Sequence, residues 1–138
     1  MPPTKTVNTL SPCPCGSHKT LGDCCLPYVL ARQAAPTAEL LMRSRYTAHA
    51  LVAVDYLWET WAPSQRVQSS KNDIREWAES CEWLKLEIIS TVDGTENDNE
   101  GLVTFIASYS QDGKIYQHHE ISLFKKIEGH WLYISHFA

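Results

Sequence analysis

The chain has 138 residues, 43% hydrophobic and 20% charged, with a formal net charge of −4 and a pI near 5.8. That is the size of one domain with a short appendage, and the apolar content supports a packed core rather than bulk disorder. The acidic balance argues against general nucleic-acid binding, which needs clustered Lys and Arg, and no apolar run approaches the roughly 18 to 20 residues that span a bilayer.

Met1 to Ser11 is polar and proline-bearing, without the apolar stretch of a secretory signal. A soluble cytoplasmic protein is the expectation. In a reducing compartment, clustered cysteines read first as metal ligands.

Residues 1–12 read as a loose lead-in with Pro2, Pro3 and Pro12. The cluster follows: Cys13, Cys15, Cys24 and Cys25, spaced C-x-C-x8-C-C. Gly16 and Gly22 permit tight turns, and Pro14 stiffens the first pair. Four thiolates fill the tetrahedral sphere of Zn²⁺, so the expected site is structural, with no open position for an activated water. A disulfide is opposed by the compartment and by the adjacency of Cys24 and Cys25, and no C-x-x-C redox pair is present. His18 reads as an exposed loop histidine and Cys81 as a buried apolar thiol. A segment this small has almost no core, so chelation is expected to unfold it without melting the rest.

Pro27 and Pro36 bracket Tyr28 to Ala35, which can form two helical turns. The domain boundary is placed between Pro27 and Thr37, and Thr37 reads as a helix N-cap. Ala38 to Trp61 contains no Pro or Gly. Tyr46, Ala50, Ala53 or Val54, Leu57 and Trp61 recur at helical spacing, which predicts one helix of about six turns ended by Pro63. Lys71 to Ser80 predicts a second helix with Ile74, Trp77 and Ala78 inward.

After Cys81 the period becomes two. In Trp83–Ile89, Leu84, Leu86 and Ile88 alternate with Trp83, Lys85 and Glu87. In Leu102–Ser110, Val103, Phe105, Ala107 and Tyr109 share a face. Asp112-Gly113 and Glu128-Gly129 are hairpin turns around a third strand, Lys114 to Lys126, and His130 to Phe137 is a fourth. Asp93 to Gly101 reads as a solvated hairpin loop. It is no calcium loop, because Thr104 stands where the twelfth-position Glu belongs. Helices followed by an antiparallel meander predict an α+β fold, helices packed on a curved sheet.

Arg43 stands near the apolar stripe of the long helix, and Arg45 lies on a neighbouring face. On the third strand, Tyr116, His118, Glu120, Ser122 and Phe124 share one face, and Phe124 points that face inward. Glu120 then lies inside, with Arg43 or Arg45 as its natural partner. One reading is a buried ion pair that fixes helix to sheet. The other is a ligand pocket lined by Arg43, Arg45, Tyr46 and Glu120. His118 and Glu120, two apart on one face, also have the arrangement of an acid/base pair. His118 and His119 point to opposite faces and cannot share an ion. No Ser-His-Asp order or phosphate loop appears.

Cys13 to Cys25, with its Cys-Pro-Cys-Gly-Ser opening and Cys-Cys close, resembles the SEC-C motif, the zinc knuckle at the C-terminus of the SecA preprotein translocase. Leu41-Met42-Arg43-Ser44-Arg45-Tyr46, Asp55-Tyr56-Leu57, Glu82-Trp83-Leu84 and Trp131-Leu132-Tyr133-Ile134 resemble the YchJ family of bacterial proteins. The resemblance implies a knuckle over residues 13–30 and a fold similar to nuclear transport factor 2 over residues 37–138. That fold is a cone of helices enclosed by a strongly curved sheet. It brings no established reaction. In SecA the similar motif docks a chaperone partner and the ribosome. This chain departs from the pattern in three places. No Cys follows Cys81, where many relatives have a second knuckle. Ala62 stands where a His is frequent, and His18 where Gly is common.

The leading expectation is a non-enzymatic adaptor whose zinc knuckle docks a protein or ribosomal partner. It rests on a coordinatively closed site beside a domain without a convincing catalytic group. The alternative is a small-molecule binder or enzyme that uses the cone pocket, with an open cavity near Arg43 and Glu120. Nucleic acid comes third, because Lys19, Lys125 and Lys126 are few. The cone folds it resembles often form homodimers through the sheet, and the residues alone do not decide this.

Overall fold

Residues 8–137 are described in a computed structural model of the chain. The lead-in expected over residues 1–12 lies outside them as far as residue 7. From Thr9 onward that expectation is corrected. The amides of Gly22 and Leu21 donate to the carbonyls of Thr9 and Ser11 at 2.9 and 2.8 Å, and Pro12 bridges Thr20. The segment is hydrogen-bonded to the far arm of the cysteine loop rather than loose.

A 3-10 turn at Leu21–Asp23 leads into α1 (Leu26–Val29). The helix expected over Tyr28 to Ala35 is thus displaced toward the cysteines. Pro27 lies in its first turn, where a missing N–H costs nothing. α2 covers Ala38–Leu51, and the Thr37 hydroxyl accepts from the Leu40 amide at 3.1 Å as an N-cap.

The single helix expected to Trp61 breaks at Val52. Val52 takes the left-handed conformation (φ 56°, ψ 43°). Its amide donates to the His49 carbonyl, and the Ala53 amide to Ala48. This is a Schellman closure with valine where glycine is usual, at a cost of about 1–2 kcal/mol. Packing offsets it: Val52 and Val54 are buried against Ala78 and Ile74. The chain turns and continues as α3 (Val54–Glu59). Beyond α3 it is tied to the last strand, where Ala62 and Tyr133 donate to Tyr133 and Thr60 carbonyls. α4 (Lys71–Ser80) runs as expected, with Ser70 as N-cap. Ala78 is buried, whereas Trp77 keeps 41% of its surface exposed.

Four strands follow: β1 (Glu82–Asp93), β2 (Glu100–Gln111), β3 (Lys114–Ile127) and β4 (His130–Phe137). They form one antiparallel sheet in the order β1-β2-β3-β4. The two dipeptide turns have positive φ at both positions, 52° and 78° at Asp112-Gly113 and 51° and 82° at Glu128-Gly129. That is the geometry short hairpins need.

β1 departs from the predicted alternation. A register shift between Trp83 and Lys85 makes Leu84 an extra residue, so Trp83 opposes Tyr109 while Leu86 and Ile88 oppose Ala107 and Phe105. Trp83 therefore shares the inner face and Leu84 is exposed, the consequence of a β-bulge.

The core unites both parts of the chain. Phe124, Leu41, Leu57 and Val103 are fully buried, in one cluster with Cys13, Cys15, Cys25, Leu26 and Val29. The cysteine segment thus shares the core of the α+β body. Among the described residues no helix is long and apolar enough to cross a membrane.

Candidate functional site

The cysteine loop is a small hairpin closed by the Cys13 amide on the Lys19 carbonyl at 2.9 Å. Its bend needs left-handed residues at Gly16 (φ 80°) and His18 (φ 71°), which gives a physical reason why glycine suits position 18. The return arm brings Cys24 and Cys25 to the start of α1. The four sulfurs lie within 4.8 Å of one another, a donor set that can hold a metal ion. Cys13, Cys15 and Cys25 are buried, Cys24 is half-buried and His18 is exposed.

Further groups converge on these sulfurs. Ser17 Oγ lies 3.1 Å from Cys24 Sγ, and Thr47 Oγ1 lies 3.6 Å from Cys13 Sγ. Arg43 Nη1 donates to the Cys15 carbonyl at 2.9 Å and approaches its sulfur at 3.8 Å, while Arg43 Nε donates to Glu39 at 2.9 Å. Arg43 was expected at the pocket. It instead faces the cysteines, on the same helical face as Thr47.

The opposite face of α2 carries Arg45 and His49, which line a cavity of about 370 Å³ between α2, α4 and the inner face of the sheet. Trp77, Trp83, Tyr109 and Phe105 supply most of its wall, with ring centroids of the first three 5.4 to 6.0 Å apart. The half-exposed Trp77 and His118 mark its mouth.

Glu120 points into this cavity with His118, Ser122 and Tyr133 around it. His118 Nε2 is 2.7 Å from one carboxylate oxygen, and the hydroxyls of Ser122 and Tyr133 donate to the other. Burial works against the charge, but the hydrogen bonds from Ser122 and His118 hold Glu120 below the usual carboxylate value. The expected Arg43–Glu120 or Arg45–Glu120 ion pair does not form among the described residues. Arg45 donates instead to the Leu57 carbonyl at 2.9 Å and to Thr60 Oγ1 at 2.6 Å, and lies over the Tyr133 ring. Burial pushes Arg45 down to about 10. Tyr46 is buried, and burial pushes its hydroxyl up to about 12 against a weak backbone interaction with Lys85. His119 is on the opposite face of the sheet, as the strand period requires.

Sequence reasoning missed His49. The signal was available, since His49 is one helical turn beyond Arg45. Its Nδ1 is 2.9 Å from the Arg45 carbonyl, and its ring is 5.1 Å from that of Trp83. Burial, with the Arg45 charge beside it, depresses His49 to about 4 from its ordinary 6.5. Between those values the unfolded chain binds the proton and the folded chain does not, so stability is full above pH 6.5 and falls as pH drops toward 4. A shift of this size corresponds to about 3 kcal/mol. Urea titrations at pH 7 and 4.5 are expected to show this loss, and His49→Gln to flatten it. An unchanged pH slope in the variant would exclude His49 as the cause.

The described geometry can be set beside known proteins. The family model for the YchJ middle domain, which is similar to nuclear transport factor 2, matches residues 37–136. The chain belongs to the YchJ family. A UPF0225 protein from Geobacter sulfurreducens is 45% identical over 121 residues, covering 88% of this chain and 75% of the relative. Another from Photorhabdus laumondii is 43% identical over 127 residues, covering 89% and 78%. The solution structure of a SEC-C motif containing protein from Rhodopseudomonas palustris has a TM-score of 0.83 at 37% identity, covering 91% of this chain and 97% of that one. The crystal structure of a SEC-C motif containing protein from Psychrobacter arcticus has a TM-score of 0.80 at 29% identity, covering 92% and 82%. This YchJ chain thus joins an N-terminal cysteine cluster to an α+β body with one four-stranded antiparallel sheet.

Proposed function

We propose that the chain is a small-molecule-binding protein of the cytoplasm, built from a structural zinc knuckle at residues 13–30 and a cone domain at residues 37–138. The observation that carries this reading is the cavity. Its aromatic walls enclose about 370 Å³, a ligand-sized space, and polar groups from α2, β3 and β4 converge on it. A cone packed solid with Trp and Tyr would have spoken against it.

Zinc fits the donor set. Sulfurs about 2.3 Å from a tetrahedral ion lie about 3.8 Å apart, and the Cys15–Cys24 and Cys24–Cys25 sulfurs are 3.6 and 3.8 Å apart. Without a cation the four thiols cannot all ionise. Hydrogen bonds from Cys13 and Cys25 hold Cys15 low, whereas burial and the charge of its neighbours push Cys24 up to about 11. A divalent ion held by Cys13, Cys15, Cys24 and Cys25 removes that conflict and leaves no position open for chemistry. Arg43, Ser17 and Thr47 orient the sulfurs and offset their charge.

Native mass spectrometry of the untagged protein is the test. One zinc plus a reproducible small extra mass is the expected result. Zinc alone, with no ligand recovered across preparations, would return weight to the docking role first expected for the knuckle. That role has less support: three of the four cysteines are buried in the shared core, and the exposed residues of the segment are few, Gly16, His18, Lys19 and Asp23. Arg43→Met is expected to weaken zinc retention about 10- to 100-fold in a chelator competition, the usual effect of removing an outer-shell partner. Retention equal to wild type would show that Arg43 only packs.

A further inference from the structure

Arg45 is 8% exposed and lines the cavity. Every partner of its guanidinium is neutral: the Leu57 carbonyl, the Thr60 hydroxyl and the Tyr133 ring. Nη1 makes both hydrogen bonds. Among the described residues Nε and Nη2 have no hydrogen-bond partner, and no carboxylate pairs with the group. Glu120 is already committed to His118, Ser122 and Tyr133. The Glu120 charge acts on Arg45 from across the cavity without bonding to it; a buried cation with no directly paired counter-ion is costly, and a guanidinium presents a fork that matches a carboxylate.

We propose that the cavity takes a small organic carboxylate, its anionic end on Nε and Nη2 of Arg45 and its apolar body against Trp83, Tyr109 and Phe105. This rests on the cavity being a ligand site, as argued above. The unpaired fork of Arg45 is what favours an anion, and the other charges of the lining limit it to a single negative charge. Arg45 is the one Lys or Arg among the lining residues, and Glu120 and Asp73 line the same space, so a second negative charge on the ligand would be repelled. His49, depressed to about 4, adds no positive charge at neutral pH. The walls ask for a flat apolar body, which excludes bare inorganic anions as the intended occupant.

The test compares benzoate with benzamide, which share a shape and differ in charge. Both are titrated into the full chain at neutral pH, followed by NMR of the Trp83 indole N–H, whose donor bond to Ala78 places it at the cavity wall. Benzoate is expected to bind about tenfold or more tightly than benzamide, the size of one charge-assisted hydrogen bond. Arg45→Met is expected to abolish that preference. Should that variant fail to fold, the wild-type comparison decides alone, supported by weaker benzoate binding at high salt. Equal affinity for the two probes would overturn the carboxylate while leaving the cavity as a ligand site. Binding of neither would overturn the cavity reading itself, and this inference with it.

Discussion

Removing the zinc proposed for the cysteine cluster is expected to destabilise the whole domain, not residues 13–30 alone. Cys13, Cys15 and Cys25 are buried in the same cluster as Leu41, Phe105 and Phe124. The Cys13 sulfur lies against Thr47, and the backbone of Cys15 receives Arg43, both from α2. Losing the metal leaves four crowded, mostly buried sulfurs with Arg43 as the one cation in contact with them among the described residues, too little to hold them all as thiolates. Structural zinc supplies about 10–16 kcal/mol in isolated finger peptides, so even a third of that here exceeds the effect of most single substitutions. Chelation, or Cys25→Ser, is expected to lower the thermal midpoint by roughly 10–20 °C. Near-ultraviolet circular dichroism of the tryptophans, which sit in the cone, should melt together with loss of the metal. A cone signal that survives metal removal with its midpoint unchanged would separate the two parts and restore the independent knuckle.

Gly101→Ala is expected to cost about 3 kcal/mol, near the top of the range for overpacking. A Cβ at Gly101 would meet Gly94 Cα at 2.5 Å and Gly94 N at 2.8 Å. Both are backbone atoms and cannot swing aside. Gly94 is itself fixed: its φ is +77°, its carbonyl accepts from the Ala38 amide at 2.9 Å, and a Cβ there would meet Ala38 Cβ at 2.8 Å. The two glycines let the β1–β2 loop lie on the first turn of α2. Gly113→Ala is the control, because nothing lies within 4 Å of its Cβ and only the positive φ opposes it, at about 1 kcal/mol. Denaturant midpoints of the two variants decide the matter. Equal losses would mean that crowding at Gly101 is relieved by loop movement.

Parts of this structure follow from neighbours in sequence. The hairpin turns depend on two residues each, Asp112-Gly113 and Glu128-Gly129, and both formed where those dipeptides stand. Thr37 and Ser70 cap helices through their own hydroxyls. Strand parity put Glu120 and Phe124 on one face, because side chains alternate whatever the surroundings. The C-x-C-x8-C-C spacing, with Gly16 at the bend, let four sulfurs come within 4.8 Å of one another.

Tertiary contacts decided the rest. Val52 is a poor residue for a left-handed cap, and only its burial against Ala78 and Ile74 explains the break that no Gly or Pro announces. The bulge at Leu84 turned Trp83 inward because Tyr109 and Trp77 offered it a packed place, which alternation within one strand cannot know. The polar run from Asp93 to Gly101 read as solvated, yet Gly94 and Gly101 are buried beneath α2. The division between Arg43 and Arg45 has the same origin. Two residues apart on a helix point about 200° apart, so only one could reach the cavity. The roll of α2, set by Leu41, Tyr46 and the buried cysteines, gave the cavity Arg45 and the cysteine cluster Arg43. The sequence by itself determined which groups this protein brings to the cysteine cluster and to the cavity. The packing of α2 between the cysteines and the sheet determined which group serves which site, because the energy that orients that helix comes from residues distant in the chain.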